Sequence, residues 1–151
     1  MDSAYSILKK ILIFIVILAA VLWSVVFFLD RVDAKKEKEL LNEVQHQFDA
    51  VNVKAYDGEN PSILVEITIE DEEEIYTISK KALPYLVENG YLEGLAKYKE
   101  LVVNAKIVDA NTGEKLDSQS IVYPINKISL IEWDKIQNFD TLLNYVSLLS
   151  T

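Results

Sequence analysis

The sequence predicts an α+β domain carried on one membrane-spanning helix, and three observations lead there. Residues 11–29 read ILIFIVILAAVLWSVVFFL, with a single hydroxyl (Ser24) and no charge. Two later stretches, centred on Val65 and Val103, alternate apolar and polar side chains with the period of a half-buried strand. Between and around them, apolar residues recur at helical spacing in residues 40–51 and 133–149. Together they predict a membrane helix continuing into an amphipathic helix. An antiparallel sheet of about five strands, built as two hairpins, follows, with helices on one of its faces.

The apolar run begins at Ile11 and closes at Leu29. A bilayer's hydrocarbon core is about 30 Å thick and a helix rises about 1.5 Å per residue, so this run is long enough to cross it. Residues 1–10 form a short tail whose Lys9 and Lys10 supply the basic start of a signal sequence. The run exceeds a signal's apolar region, and its small residues, Ala19 and Ala20, sit in the middle rather than at a cleavage site. We therefore expect a retained anchor, with the lipid bilayer contacted through residues 11–29. Tyr5 before the run, and Trp23, Phe27 and Phe28 within it, are placed for interfacial aromatic belts. Ala20 and Ser24 make one small-xxx-small pair. Orientation pulls two ways. Arg31, Lys35, Lys36 and Lys38 outnumber Lys9 and Lys10, which favours a cytoplasmic domain. Those downstream charges are interleaved with Asp30, Asp33, Glu37 and Glu39, and we read the C-terminal domain as extracytoplasmic.

Residues 30–39, DRVDAKKEKE, all tolerate helix, and Lys35 and Glu39 sit at i,i+4. They are a charged helical stalk. The domain proper is residues 40–151, opening on Leu40, Leu41, Val44, Phe48 and Val51 along one helix face. This helix should end near Ala50. Val51, Val53 and Ala55 then alternate as a strand, and Asp57-Gly58-Glu59-Asn60-Pro61 is turn chemistry. Ile63, Val65, Ile67 and Ile69 form the clearest strand. An acidic turn, residues 71–74, is expected to lead into a short strand at residues 75–78, with Ser79 capping a helix that Pro84 can enter only in its first turn. Asn89-Gly90 stops that helix, and residues 91–99 hold another short one. Leu101, Val103, Ala105 and Ile107 form a strand that a loop at residues 109–114 returns through residues 116–123. Ser129 and Glu132 have capping-box spacing and should open a C-terminal helix bearing Trp133, Ile136, Phe139, Leu143, Val146 and Leu149.

Composition narrows the function. Setting aside Lys9, Lys10 and Asp2, the remaining chain carries 13 basic and 23 acidic side chains, a net of about −10. That surface repels nucleic acid, so no nucleic-acid partner is expected. The chain has no cysteine, which removes disulfides, zinc-thiolate sites and thiol nucleophiles. His46 is the one histidine and reads as a surface residue of the amphipathic helix. The acidic run from Glu70 to Glu74 reads as a solvated turn rather than a calcium site. Asp109-x-Asn111-x-Gly113 has the wrong glycine position for an EF-hand and reads as a hairpin loop. Tyr85, Tyr91 and Tyr98, with Lys97 and Lys99, are candidates for a stacking platform but read first as core aromatics. No catalytic, cofactor or metal-ligating residue is assigned, and no enzyme is expected.

The expected role is a single-pass accessory or assembly protein of a bacterial envelope complex, acting through protein partners. Richness in Ile, Leu, Lys, Glu, Asn and Tyr with only four glycines fits an A·T-rich bacterial genome. An alternative is a ligand-binding or immunity-type module. Another comes from outline: a membrane helix running into an amphipathic helix beneath an antiparallel sheet resembles pilins and pseudopilins over roughly the first half of the chain. Their processing motif is absent, because the first glycine is Gly58 and residues 11–29 contain no glutamate.

Overall fold

The computed structural model describes residues 2–149, with side chains from residue 11 onward; Tyr5, Lys9 and Lys10 therefore lie outside the described side chains. The first helix, α1, is Asp2–Gln47. No proline or glycine interrupts it. The chain divides into two compact units, Met1–Lys38 and Glu39–Thr151.

In the first unit every side chain from Ile11 to Leu29 is exposed. Among the described residues this is the one helix long and apolar enough to cross a membrane. Ser24 does not spend its hydroxyl outward: Oγ donates to the Ala20 carbonyl at 2.8 Å, which hides its polarity within the helix. Arg31 lies 4.5 Å from the Phe27 ring centroid, a cation–π contact at the apolar boundary.

The second unit holds the sheet. Its strands are β1 (Asn52–Tyr56), β2 (Ser62–Ile69), β3 (Glu100–Val108) and β4 (Lys115–Pro124), in spatial order β1-β2-β3-β4. The end of α1 enters this unit through Val44 and Phe48, both fully buried, with Leu40 and Leu41 packed beside them. The helix stops because Asp49 turns left-handed at φ 48°. Asp49 N–H then reaches the His46 carbonyl and Ala50 N–H the Gln45 carbonyl, the paired closure of a Schellman motif. Aspartate fills a place that glycine usually holds.

Two expectations about the sheet are corrected. It has four strands rather than five, and it is mixed rather than antiparallel. β1–β2 and β3–β4 are antiparallel hairpins, while β2 and β3 run parallel. Both corrections have one cause. Residues 75–78, expected as a strand, belong to helix α2 (Glu73–Glu88), which buries Ile75, Ser79, Ala82, Leu83 and Leu86 at helical spacing. A helix between two strands carries the chain back to the starting end, so the next strand pairs parallel. The antiparallel sheet implied by the pilin outline is thus not the sheet present.

Ser79 is accordingly not a cap but a buried mid-helix residue, and Pro84 lies inside α2 rather than in its first turn. Proline there removes the bond to the Lys80 carbonyl, which sits on the exposed side where water can replace it. The start of α2 is made by the acidic run. Asp71 Oδ1 accepts the Glu73 N–H at 3.0 Å, and Glu74 turns back to accept the N–H groups of Glu70 and Asp71. This is capping-box chemistry, found here and not at Ser129. Gly90, at φ 72°, ends α2 as expected, and α3 (Tyr91–Gly94) is one turn long. A Cβ at Gly94 would stand 2.6 Å from Leu40 Cδ1, so the absent side chain lets α3 approach the end of α1.

The C-terminal stretch is also reassigned. Residues Ile125–Leu130 and Trp133–Lys135 are 3₁₀ turns, and helix α4 is Phe139–Leu149. Its cap is Asn138, whose Oδ1 accepts the Thr141 N–H at 2.9 Å. Glu73 adds a carboxylate from α2 to the same helix start, 3.1 Å from Phe139 N, where negative charge meets the positive end of the dipole. Tyr76 Oη donates to the Ile136 carbonyl at 2.8 Å. The last helix is thereby tied to α2, and Phe139, Leu142 and Val146 complete the core.

Candidate functional site

Strand periodicity divides the sheet into two faces. Ile63, Val65, Ile67 and Ile69 of β2 join Leu101, Val103 and Ala105 of β3 and Ile121 and Tyr123 of β4 in the buried core with the helices. Within the core Tyr123 Oη donates to Ser79 Oγ at 2.9 Å. Burial pushes the Tyr123 phenol well above its usual range, and the serine contact only partly offsets it.

The opposite face is open. Its side chains are exposed or half-buried, and register arranges them in rows across the strands. One row is Lys54, Leu64, Val102 and Val122. The next is Asn52, Glu66, Asn104 and Ser120, followed by Thr68, Lys106 and Ser118. Tyr56 stands at the other end, 48% exposed. The first row is mainly aliphatic and the later rows are polar. Glu66 organises the polar side, accepting from Asn52 Nδ2 at 2.6 Å and pairing with Lys54 Nζ at 3.8 Å.

β4 departs from regular pairing at the far end. Ile107 lies opposite Asp117 but Val108 lies opposite Lys115, so Leu116 is an extra residue in the ladder. Such a bulge re-aims a side chain. Here it brings Lys115 to the face that carries Lys106. Both lysines, with Thr68, Asn104 and Ser118, line a groove of about 420 Å³.

The candidates named from sequence are dispersed. His46 is exposed on α1 with no acid or hydroxyl bonded to it among the described residues. Asp109 Oδ1 accepts the N–H groups of Asn111 and Thr112, both at 2.8 Å, which makes the loop an Asx turn. Those two backbone bonds hold its carboxyl below the usual range. Among the described residues no cluster of three or more His, Cys, Asp or Glu is placed to hold a metal.

Of the aromatics, Tyr85 and Tyr91 do meet, with centroids 6.1 Å apart and planes 19° from parallel. Desolvation, then the nearby Glu43 carboxylate, raises the Tyr85 phenol above its usual range. Tyr98 is apart from them and buried, with Lys97 Nζ 4.9 Å from its ring centroid. Tyr98 and Lys99 border a second cleft, of about 560 Å³, beside Leu92 and Ile125. Lys99 is committed there to structure: Nζ donates to the Glu59 carbonyl at 2.9 Å and to Asn60 Oδ1 at 3.1 Å, closing the β1–β2 turn. The tyrosine–lysine set therefore makes no common platform.

Sequence reasoning missed that Lys106 and Lys115 line one groove. Nothing in local alternation places them together, because their shared face depends on one unpaired residue in the opposite strand. Comparison of the chain with protein-family models, with curated proteins and with solved structures yields no match.

Proposed function

We propose that this chain is a single-pass membrane protein whose α+β domain works by binding protein partners through the open face of its sheet. One observation carries the reading: the face opposite the core presents Leu64, Val102 and Val122 in one continuous row beside a polar field. Aliphatic side chains in register on an accessible sheet face are the anatomy of an interface centre with a polar rim. Residues 11–29 supply the anchor in this reading, and the domain stands outside the cytoplasm as a non-catalytic component of an envelope complex.

The absence of cysteine makes the test direct, because a single introduced thiol reports alone. Asn104→Cys places it on the open face and Lys81→Cys on an exposed position of α2. In intact membranes a thiol-reactive crosslinker should join the Asn104→Cys chain to a partner and leave the Lys81→Cys chain free. Equal capture from both positions would refute the assignment of the face. Carbonate washing should leave the chain in the membrane pellet, and its release into the wash would refute the anchor. An impermeant maleimide should label Lys81→Cys, which lies off the proposed interface, on whole cells; protection until lysis would reverse the orientation.

A further inference from the structure

We infer that the groove over Lys106 and Lys115 takes the carboxylates of an acidic, amphipathic segment of a partner protein. The inference deepens, and rests on, the reading of the open face as an interaction surface. The first argument is charge. Neither lysine is ion-paired among the described residues, whereas Glu66, the acid that lines the same groove, is already engaged by Asn52 and Lys54. The groove lining therefore sets two lysines against one acid, on a chain whose formal charge is −9. A partner with the same acidic character is repelled elsewhere and accepted here, which gives orientation as well as attraction.

The second argument is construction. Lys106 is delivered by regular β3 register, but Lys115 reaches this face through the bulge at Leu116. A regular ladder would set Leu116 opposite Val108 and turn Lys115 to the other side. The two lysines thus line one groove from adjacent strands, together with Thr68, Ser118 and Asn104.

The third argument chooses the ligand. Val102 lies four positions before Lys106 along β3, roughly 13 Å at strand rise. A free phosphate, or a lipid headgroup, uses the lysines and has no use for the aliphatic row. An extended segment with carboxylates at one end and aliphatic side chains about 13 Å further on uses both.

The test titrates the full ¹⁵N-labelled chain in detergent micelles with the peptide Glu-Glu-Glu-Ser-Ser-Leu-Leu. Saturable amide shifts are expected at Thr68, Asn104, Lys106, Lys115 and Ser118, and at Val102. The K106Q/K115Q variant, altered only at exposed positions, should keep the remaining spectrum and lose about tenfold in affinity. Replacing both leucines of the peptide by serine should weaken binding and remove the Val102 shift. The proposal is overturned if no site saturates, or if K106Q/K115Q binds as well as the parent chain. Inorganic phosphate producing the same shifts at equal affinity would make this a small-anion site instead. The same shifts on exchanging phosphatidylcholine for phosphatidylglycerol in nanodiscs would assign the lysines to lipid. Should the peptide fail while Asn104→Cys still crosslinks selectively, the interaction face stands and only its acidic partner falls.

Discussion

Leu101 and Val102 are adjacent in β3, yet the first has no exposed surface and the second lies half-buried on the open face. The same contrast repeats across the sheet. On one face aliphatic residues meet helices, and the polar groups of Tyr123 and Ser79 satisfy each other. On the other, Leu64, Val102 and Val122 form an aliphatic row, Val51 and Val108 stand toward the polar end, and Glu66 bonds to both Asn52 and Lys54 in reach of water. The contrast teaches that burial falls to alternate residues of the same strands, and the recognition proposed above would fall to the residues between them. Mutations one position apart should therefore separate them.

The largest separation is expected at that pair. Leu101→Ala should lower unfolding free energy by about 2–5 kcal/mol, since it opens a cavity in a closed core. Val102→Ala should cost under about 1 kcal/mol, because its site is partly solvated already. Urea denaturation in detergent micelles measures both, and equal losses would break the distinction between the faces. Next is the helical layer over the core. Gly94→Val would crowd Leu40 and should cost about 1–3 kcal/mol, with Leu40→Ala in the same chain recovering part of it.

Tyr123→Phe leaves Ser79 Oγ buried without its donor and should cost about 1–2 kcal/mol, while Tyr123→Phe with Ser79→Ala should cost less than the single change. The pair also gives the core face a pH signature. The folded state holds the Tyr123 proton far more tightly than the unfolded chain does. The resulting stability is complete below the ordinary tyrosine value near 10 and drains away as pH rises above it. Alkaline unfolding should accordingly shift to higher pH in Tyr123→Phe relative to its own neutral stability. An unchanged midpoint would remove Tyr123 from the alkaline transition. The smallest effect belongs to the open face: Glu66→Gln should alter stability by no more than about 0.5 kcal/mol, as exposed pairs contribute little.

Legibility followed the locality of each signal. Ile63, Val65, Ile67 and Ile69 announced their strand, and Leu101, Val103 and Ala105 theirs, because burial of one face imposes period two. Phe48 and Val44 announced the last turns of α1, and Asn89-Gly90 the end of α2. The reading failed where two rules competed. Ile75, Tyr76, Thr77 and Ile78 are β-branched or aromatic, and Pro84 follows, so propensity argued against the helix that Ile75, Ser79, Leu83 and Leu86 support by packing. Ser129 and Glu132 had cap spacing, yet Glu132 binds Lys135 at 2.6 Å and Ser129 lies within a 3₁₀ turn. Asp49 carries no glycine to mark its left-handed turn. At the candidate site the open face was legible as alternation, but the bulge that recruits Lys115 depends on pairing between strands, which no local pattern contains.

The clasp between Glu73 and Phe139 closes a loop of 66 residues, and Tyr76 reaches Ile136 across 60. Such closures wait until α4 has been synthesised. A ribosome that has emitted everything up to Gln137 has exposed all four strands but not the helix that finishes their cover. Until α4 arrives, the part of α2 that meets it lacks its cover. A chain cut before Phe139 should thus unfold at lower urea concentration, even though every strand is intact.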